Sequence, residues 1–136
     1  MIGAVLDTNV VVSALMHEGT PPSTVLRAAL RKSFRCFVSE EVFAEYEVVC
    51  ARYHLKLPTH DVLAAFRELR KIATWVTPAK RVHAAFDSDD NKFLECALEA
   101  RADYVVTGNL RHFPSQFQDI RIVGPRQFTM VLWSEL

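Results

Sequence analysis

Cysteine, net charge and long apolar runs are all scarce in this chain of 136 residues, and each scarcity excludes a class of protein. The three cysteines, Cys36, Cys50 and Cys96, include no pair with CxxC spacing, so neither a disulfide framework nor a zinc ribbon is expected. Lys plus Arg and Asp plus Glu number 16 each, and the net charge of zero excludes nucleic-acid binding through global positive charge. No run approaches the roughly 18 apolar residues of a membrane span, and Met1–Met16 lacks the Lys or Arg of a signal peptide. We therefore expect a soluble, cytoplasmic protein with no membrane contact.

The motifs of several common enzyme classes are also missing. The chain contains no GxGxxG or GxxxxGK[ST] loop for a nucleotide, no GxSxG elbow and no HExxH zinc helix. An aspartyl-phosphate phosphatase usually carries a second Asp two residues after the first, but Asn9 stands two residues after Asp7.

What is present is the pattern of one globular α/β domain covering residues 1–136, with 50% hydrophobic and 24% charged residues. Apolar runs predict five strands, and segments of helical periodicity lie between them. The predicted strands are Ile2–Leu6, Arg35–Val38, Ala73–Thr77, Tyr104–Thr107 and Arg121–Val123. Helices are predicted for Val10–Met16, for Ser23–Lys32, from the N-cap Ser39 to Tyr53, from Thr59 or His60 to Lys71, from the cap-rich Asp87–Asn91 segment to Arg101, and from Pro125 onward. This alternation indicates a parallel sheet covered by helices.

Two predicted strands end in polar residues, namely Asp7 after the first and Thr107-Gly108-Asn109 after the fourth. Ligands of parallel α/β sheets bind beyond the carboxyl ends of the strands. These two turns are therefore the first candidates for a site, although Asp7 is equally suited to cap the helix that follows it.

Two further acids stand out by their helical position. Asp90 is predicted near the middle of the buried stripe of its helix, where a carboxylate is rarely left unpaired, although a helix N-terminus also favours negative charge. Glu45 lies beside Val49, about 90° from the centre of its helix's apolar face, so an ordinary solvated acid remains the alternative there.

Brought together, Asp7, Glu45 and Asp90 form a cluster of like charges that requires a cation. Oxygen ligands suit Mg²⁺ or Mn²⁺ rather than zinc, and such ions can activate water and neutralise charge developing on a phosphate. The chemical hypothesis is a metal-dependent phosphodiesterase.

The order and spacing of four segments resemble the PIN-domain family, in particular its VapC-like group of toxin components from toxin–antitoxin pairs. The segments are Leu6–Val10, Ser39–Glu41 leading to Glu45-Tyr46, Asp89–Ala97, and Ala102–Asn109. The resemblance covers nearly the whole chain. It implies a three-layer α/β/α sandwich with a five-stranded parallel sheet and an Mg²⁺- or Mn²⁺-dependent ribonuclease site.

When the family's motifs are aligned with this sequence, its first three acids correspond to Asp7, Glu45 and Asp90. The resemblance implies that these are the catalytic and metal-binding residues. The family's fourth acid falls on Asn109, which offers an oxygen but no negative charge, so one or two ions remain open. Thr8, Asn9, Thr107 and Asn109 are implied as supporting polar groups, with structural capping as the alternative.

The resemblance also implies an RNA substrate, an antitoxin partner and a homodimer, the last compatible with exposed aromatic residues near Phe128 and Trp133. Arg111 and His112 follow the turn bearing Asn109 and are the basic residues favoured for holding RNA. Two alternatives stay open: a catalytically weakened PIN-like module that binds RNA or protein, suggested by Asn109 and the neutral charge, and a DNA-directed nuclease using the same site.

Overall fold

The computed structural model describes residues 1–52 and 59–135, so Tyr53, the predicted end of the third helix, lies outside the described residues. Six strands are present in this part of the chain: β1 (Gly3–Leu6), β2 (Arg35–Val38), β3 (Thr74–Trp75), β4 (Tyr104–Val106), β5 (Gln116–Phe117) and β6 (Ile120–Val123). The helices are α1 (Thr8–Met16), α2 (Pro21–Leu30), α3 (Glu40–Ala51), α4 (Thr59–Ile72), α5 (Asn91–Ala100) and α6 (Pro125–Ser134), with short 3-10 turns at Ser88–Asp90 and Leu110–His112.

The strands form one sheet in the order β3-β2-β1-β4-β6-β5. The five strands from β3 to β6 pair in parallel and correspond to the five predicted ones. The sixth strand, β5, was not predicted and pairs antiparallel with β6 at the edge. It is only two residues long and is joined to β6 through Gln118, whose φ of 53° lies in the left-handed region. Too short for an alternating pattern, β5 leaves no periodic signal in the sequence.

The helices flank this sheet, as predicted for a three-layer α/β/α sandwich. Helix α5 packs against β1, β2 and β4, while α2 packs against α1 and α6. None of the helices in residues 1–52 and 59–135 is long and apolar enough to cross a membrane.

Local signals set where several helices begin. The Ser39 hydroxyl caps α3 by accepting a hydrogen bond from the Val42 N–H at 3.2 Å, as predicted. Pro125 occupies the first turn of α6, where its missing N–H costs nothing. The Thr20 hydroxyl caps α2 in the same way as Ser39 caps α3.

The expectation of exposed aromatic residues near Phe128 and Trp133 is half wrong. Phe128 is fully buried, with its ring edge-on to Phe34 at 4.9 Å and to Tyr104 at 5.5 Å between ring centroids. Trp133 is 76% exposed. Both residues lie on α6, which turns one face to the core and the other to solvent.

The central strand β1 determines where the chain can place polar groups. All four of its residues are buried, and it lies between β2 and β4. The chain adds β2 and β3 on one side of β1 and then adds β4 and the later strands on the other side. Leu6 lies opposite Val106 in the parallel register, so β1 and β4 end level with each other. This reversal of strand order opens a crevice at the carboxyl ends, where ligands bind in such sheets.

The hydroxyl of Tyr46 ties α3 to this strand by donating a hydrogen bond to the Leu6 carbonyl oxygen, and the side chain is fully buried. Tyr46→Phe leaves that buried carbonyl without its partner. We expect the variant to lose about 1–3 kcal/mol of unfolding free energy in urea denaturation. Tyr104→Phe, at a half-buried position, is the control and should change stability by no more than about 0.5 kcal/mol. Equal stability of Tyr46→Phe and wild type would contradict the assignment.

Candidate active site

The turn after β4 is bonded to the end of β1. The Thr107 hydroxyl donates to Asp7 Oδ2 at 2.7 Å and accepts from the Asn109 N–H at 2.9 Å. Asn9 Oδ1 accepts from the Gly108 N–H at 3.0 Å. The side chains of Thr107 and Asn9 therefore hold the turn after β4 against the end of β1, while Asn109 takes part through its backbone N–H.

Asp7 occupies the N-cap position of α1, but its carboxylate forms no capping hydrogen bond. Only 5% of the residue is exposed. Burial raises the pKa of Asp7 from 3.8 to about 6, opposed by the Thr107 hydrogen bond and increased by the nearby Asp90 and Glu45 charges. The capping alternative does not describe this side chain, which is a desolvated acid facing other acids.

Asp90 stands at the start of α5 as Asp7 stands at the start of α1. It is the N-cap residue and forms no side-chain cap; instead its Oδ2 lies 3.2 Å from His112 Nδ1. Burial raises the pKa of Asp90, and the hydrogen bond and charge of His112 oppose that rise. The predicted position on a core-facing stripe is wrong, because Asp90 belongs to a 3-10 turn and its side chain is 16% exposed at the edge of the cleft.

Glu45 projects from the middle of α3 and is half-buried rather than solvated. One carboxylate oxygen accepts a hydrogen bond from the Thr8 hydroxyl. The other lies 2.6 Å from Lys92 Nζ, in an ion pair whose side chains are 25% exposed for Glu45 and 19% for Lys92. Both oxygens thus have partners within the chain.

These side chains line one open cleft with a volume of about 440 Å³. The polar lining residues are Asp7, Thr8, Asn9, Ser13, Glu45, Asp87, Asp90, Asn109 and His112. The structure therefore brings together the three predicted acids, Asn109 and His112. Arg111 is exposed and does not line the cleft.

Sequence reasoning missed Lys92 as the ion-pair partner of Glu45. Its partner Glu45 is 47 residues away, so no local pattern connects the two. It also missed two buried polar residues of α5: Asn91 Oδ1 accepts from the Ala85 N–H at 2.9 Å, and Glu95 Oε2 accepts from the Val82 N–H at 3.0 Å. These two fix the segment before the 3-10 turn that carries Asp90.

A bigger cavity of about 740 Å³ lies near the C-terminal end of α5. Two of its acids are engaged in holding backbone: Glu99 accepts from the Ala79 N–H at 3.0 Å, and Asp103 accepts from the Gly3 N–H at 2.9 Å. Asp103 precedes β4, so this cavity does not lie beyond the carboxyl ends of the strands. The smaller acidic cleft is the better candidate for chemistry.

Hard oxygen donors such as Asp7 and Asp90 suit Mg²⁺ or Mn²⁺. Burial is the main cause of the raised pKa values of both acids, and the neighbouring negative charges add to it. Within residues 1–52 and 59–135, however, no three Asp, Glu, His or Cys side chains are gathered closely enough to cage an ion. The residues fit a hydrated ion held by one or two carboxylates, which is the usual habit of Mg²⁺.

Comparison with known proteins identifies the family. The family model of the PIN domain matches residues 3–111, a range that contains all three acids and Asn109. The chain belongs to the PIN-domain family. PIN domains are generally nucleases that hydrolyse phosphodiester bonds.

Two relatives place this PIN domain among known proteins. It is 25% identical over 111 residues to the uncharacterised protein MJ1680 of Methanocaldococcus jannaschii, covering 79% of this chain and 71% of the relative. It shares its fold with the crystal structure of VapBC2 from Rickettsia felis bound to a DNA fragment from its promoter. That match has a TM-score of 0.58 at 12% identity and covers 90% of this chain and 98% of the other.

The buried charge of Asp7 should oppose folding of this PIN domain. Because the pKa of Asp7 is raised from 3.8 to about 6, the folded chain binds the proton more tightly than the unfolded chain. Stability therefore falls as the pH rises from about 4 to about 6, by on the order of 2–3 kcal/mol, and this contribution stays lost above that range.

Asp7→Asn removes this charge and keeps an oxygen to accept from Thr107. The difference in unfolding free energy between the variant and wild type should shift in favour of the variant by on the order of 2–3 kcal/mol when the pH is raised from 4 to 8. Urea denaturation in EDTA at the two pH values measures this shift. Asp89→Asn, at an exposed neighbour of Asp90, is the control and should show no such gain. A stability difference between Asp7→Asn and wild type that is the same at both pH values would refute the buried charge.

Proposed function

We propose that this PIN domain is an Mg²⁺- or Mn²⁺-dependent endoribonuclease that hydrolyses RNA phosphodiester bonds, acting as the toxin of a toxin–antitoxin pair. One observation carries the proposal. Asp7 and Asp90 both occupy helix N-caps without capping, and both turn their carboxylates into the cleft that Glu45 also lines. A chain that only needed helix caps would direct these side chains to backbone N–H groups.

Each acid has a role that follows from its contacts. Asp7 and Asp90 are the residues that would hold the ion, which supplies activation of a water molecule and neutralisation of charge developing on the phosphate. Thr107 orients Asp7, and His112 orients Asp90. Glu45, held by Thr8 and Lys92, positions the attacking water rather than holding the ion itself.

His112 supports an RNA-facing role only indirectly, since its ring contacts Asp90 at the cleft. Arg111, exposed next to it, is the residue proposed to meet the RNA backbone, because phosphate contacts require a cation that solvent and substrate can reach. The neutral overall charge means that such local contacts must supply the affinity for RNA.

The proposed partner is an antitoxin protein, supported by the shared fold with VapBC2 of Rickettsia felis. A homodimer is proposed through the outer face of α6, where Met130 and Trp133 are 68% and 76% exposed. The proposed site of action is the cytoplasm.

A second candidate is a PIN-like module that binds RNA or protein and has weak catalysis or none. It is favoured by Asn109, which stands where the family resemblance implies an acid, and by the absence of a three-carboxylate cage among the described residues. Affinity for Mn²⁺ distinguishes the candidates, because a binding module has no use for an ion at Asp7 and Asp90.

Cleavage of a mixed RNA pool tests the enzyme. We expect wild type to cleave in Mn²⁺ and to stop in EDTA, and Asp90→Asn to be slower by at least about 100-fold, since the variant removes a charge that holds the ion.

The matched control is Asp89→Asn, prepared in parallel, because Asp89 is the adjacent acid and its side chain is exposed outside the cleft. It should cleave at the wild-type rate. Equal cleavage by Asp90→Asn and wild type would sink the proposal and point to a contaminating nuclease. Substituting DNA for RNA in the same assay tests the DNA-directed alternative.

A further inference from the structure

Lys92 is a cation that pairs with one acid of the cluster, Glu45, from outside the cleft. It follows Asp90 by two residues and extends from the first turn of α5 toward α3, where its Nζ lies 2.6 Å from Glu45 Oε1. Only 19% of its side chain is exposed, in contrast to Lys71, whose side chain is 67% exposed and lies 3.7 Å from Glu68. Exposed pairs of the second kind contribute little, whereas a partly buried ammonium is held in place.

We propose that Lys92 is a built-in counter-ion that takes the place of a second divalent ion beside Glu45, leaving the cleft with one ion at Asp7 and Asp90. The inference rests on the proposed function, because it concerns how many ions that same site takes. It assigns Lys92 a positioning role, acting through Glu45.

The charges of the cleft support a single ion. With all three acids ionised, Asp7, Glu45 and Asp90 carry −3, and Lys92 brings the sum to −2, the charge that one divalent ion balances. Asn109 adds no charge where the family resemblance implies a fourth acid. Asp87 also lines the cleft; it is exposed, its Oδ1 accepts from the Asp89 N–H at 3.0 Å, and the effect of its charge on the pKa of Asp90 is opposed by that of His112.

The geometry supports the same count. Thr8 and Lys92 each bond one oxygen of Glu45, so an ion shared with Asp7 and Asp90 would have to compete with both contacts for this carboxylate. The described acids form no three-residue cage, in keeping with this competition. Lysine suits the position because its ammonium is a compact point charge, closer to a small cation than the broad guanidinium of arginine is.

The test is a calorimetric titration of the full chain with Mn²⁺ at pH 8, with bound ions counted independently by electron paramagnetic resonance. Wild type should bind one Mn²⁺ per chain. Lys92→Met uncovers Glu45, so it should bind Mn²⁺ about tenfold more tightly or take up a second ion, while losing RNA cleavage. Lys92→Gln is the second variant, and thermal melting shows whether each variant is folded.

Two further variants test whether the effect on Mn²⁺ binding comes from the charge of Lys92. Glu45→Gln combined with Lys92→Met removes one negative and one positive charge, so its Mn²⁺ affinity and count should return to within about threefold of wild type. Lys71→Met removes a lysine whose ion pair lies outside the cleft and should leave Mn²⁺ binding unchanged.

The outcomes separate the two proposals. Wild type and both folded Lys92 variants binding Mn²⁺ with the same affinity and number would overturn the counter-ion while leaving the nuclease intact. Two ions bound by wild type would also overturn it. No Mn²⁺ binding and no RNA cleavage by any of the proteins would overturn the proposed function, and the counter-ion with it.

Discussion

The site depends on one unfavourable placement, the carboxylate of Asp7 at the buried end of the central strand. Burial alone would drive this group toward its neutral form, and the neighbouring acids add to that effect. The surrounding polar contacts are arranged around it: Thr107 donates to Asp7, and the same hydroxyl holds the Asn109 N–H. The turn after β4 is thereby fixed to the end of β1. A placement that works against stability and is supported from several sides is typical of functional residues.

Much of this fold is predictable because its signals are local. The five parallel strands appear as apolar runs, and Ser39 and Pro125 announce the helices that follow them. The helical wheel fails for Asp90 because this residue lies in the 3-10 turn before α5, and it is a weak guide within α5, where Asn91 and Glu95 are buried along with the apolar residues. Where almost every face is buried, an acid's position on the wheel carries no information about function. The remaining sequence-based reason for choosing Asp90 is the spacing that resembles the family.

The site is only half predictable because its decisive contacts cross the fold. The three acids were identifiable one at a time, from a strand end and from the spacing that resembles the family. Their partners were not, since Lys92 pairs with Glu45 across 47 residues and His112 meets Asp90 across 22. A sequence pattern reports spacing within an element, whereas these pairs arise only when α5, α3 and the turn after β4 are packed together. The charge of the cleft is therefore a property of the tertiary structure.

Asn109 and Lys92 make sense as two parts of one electrostatic arrangement. An acid at position 109 would add a negative charge at the exposed mouth of the cleft, while Lys92 is already paired with Glu45. That extra charge would need a second cation from solvent. With Asn109 the oxygen is kept and the charge is not, so the cluster can be balanced by one ion and one ammonium. On the proposed charge count, the neutral residue at 109 is compatible with the lysine two residues beyond Asp90, and it is as consistent with an active nuclease as with a weakened one.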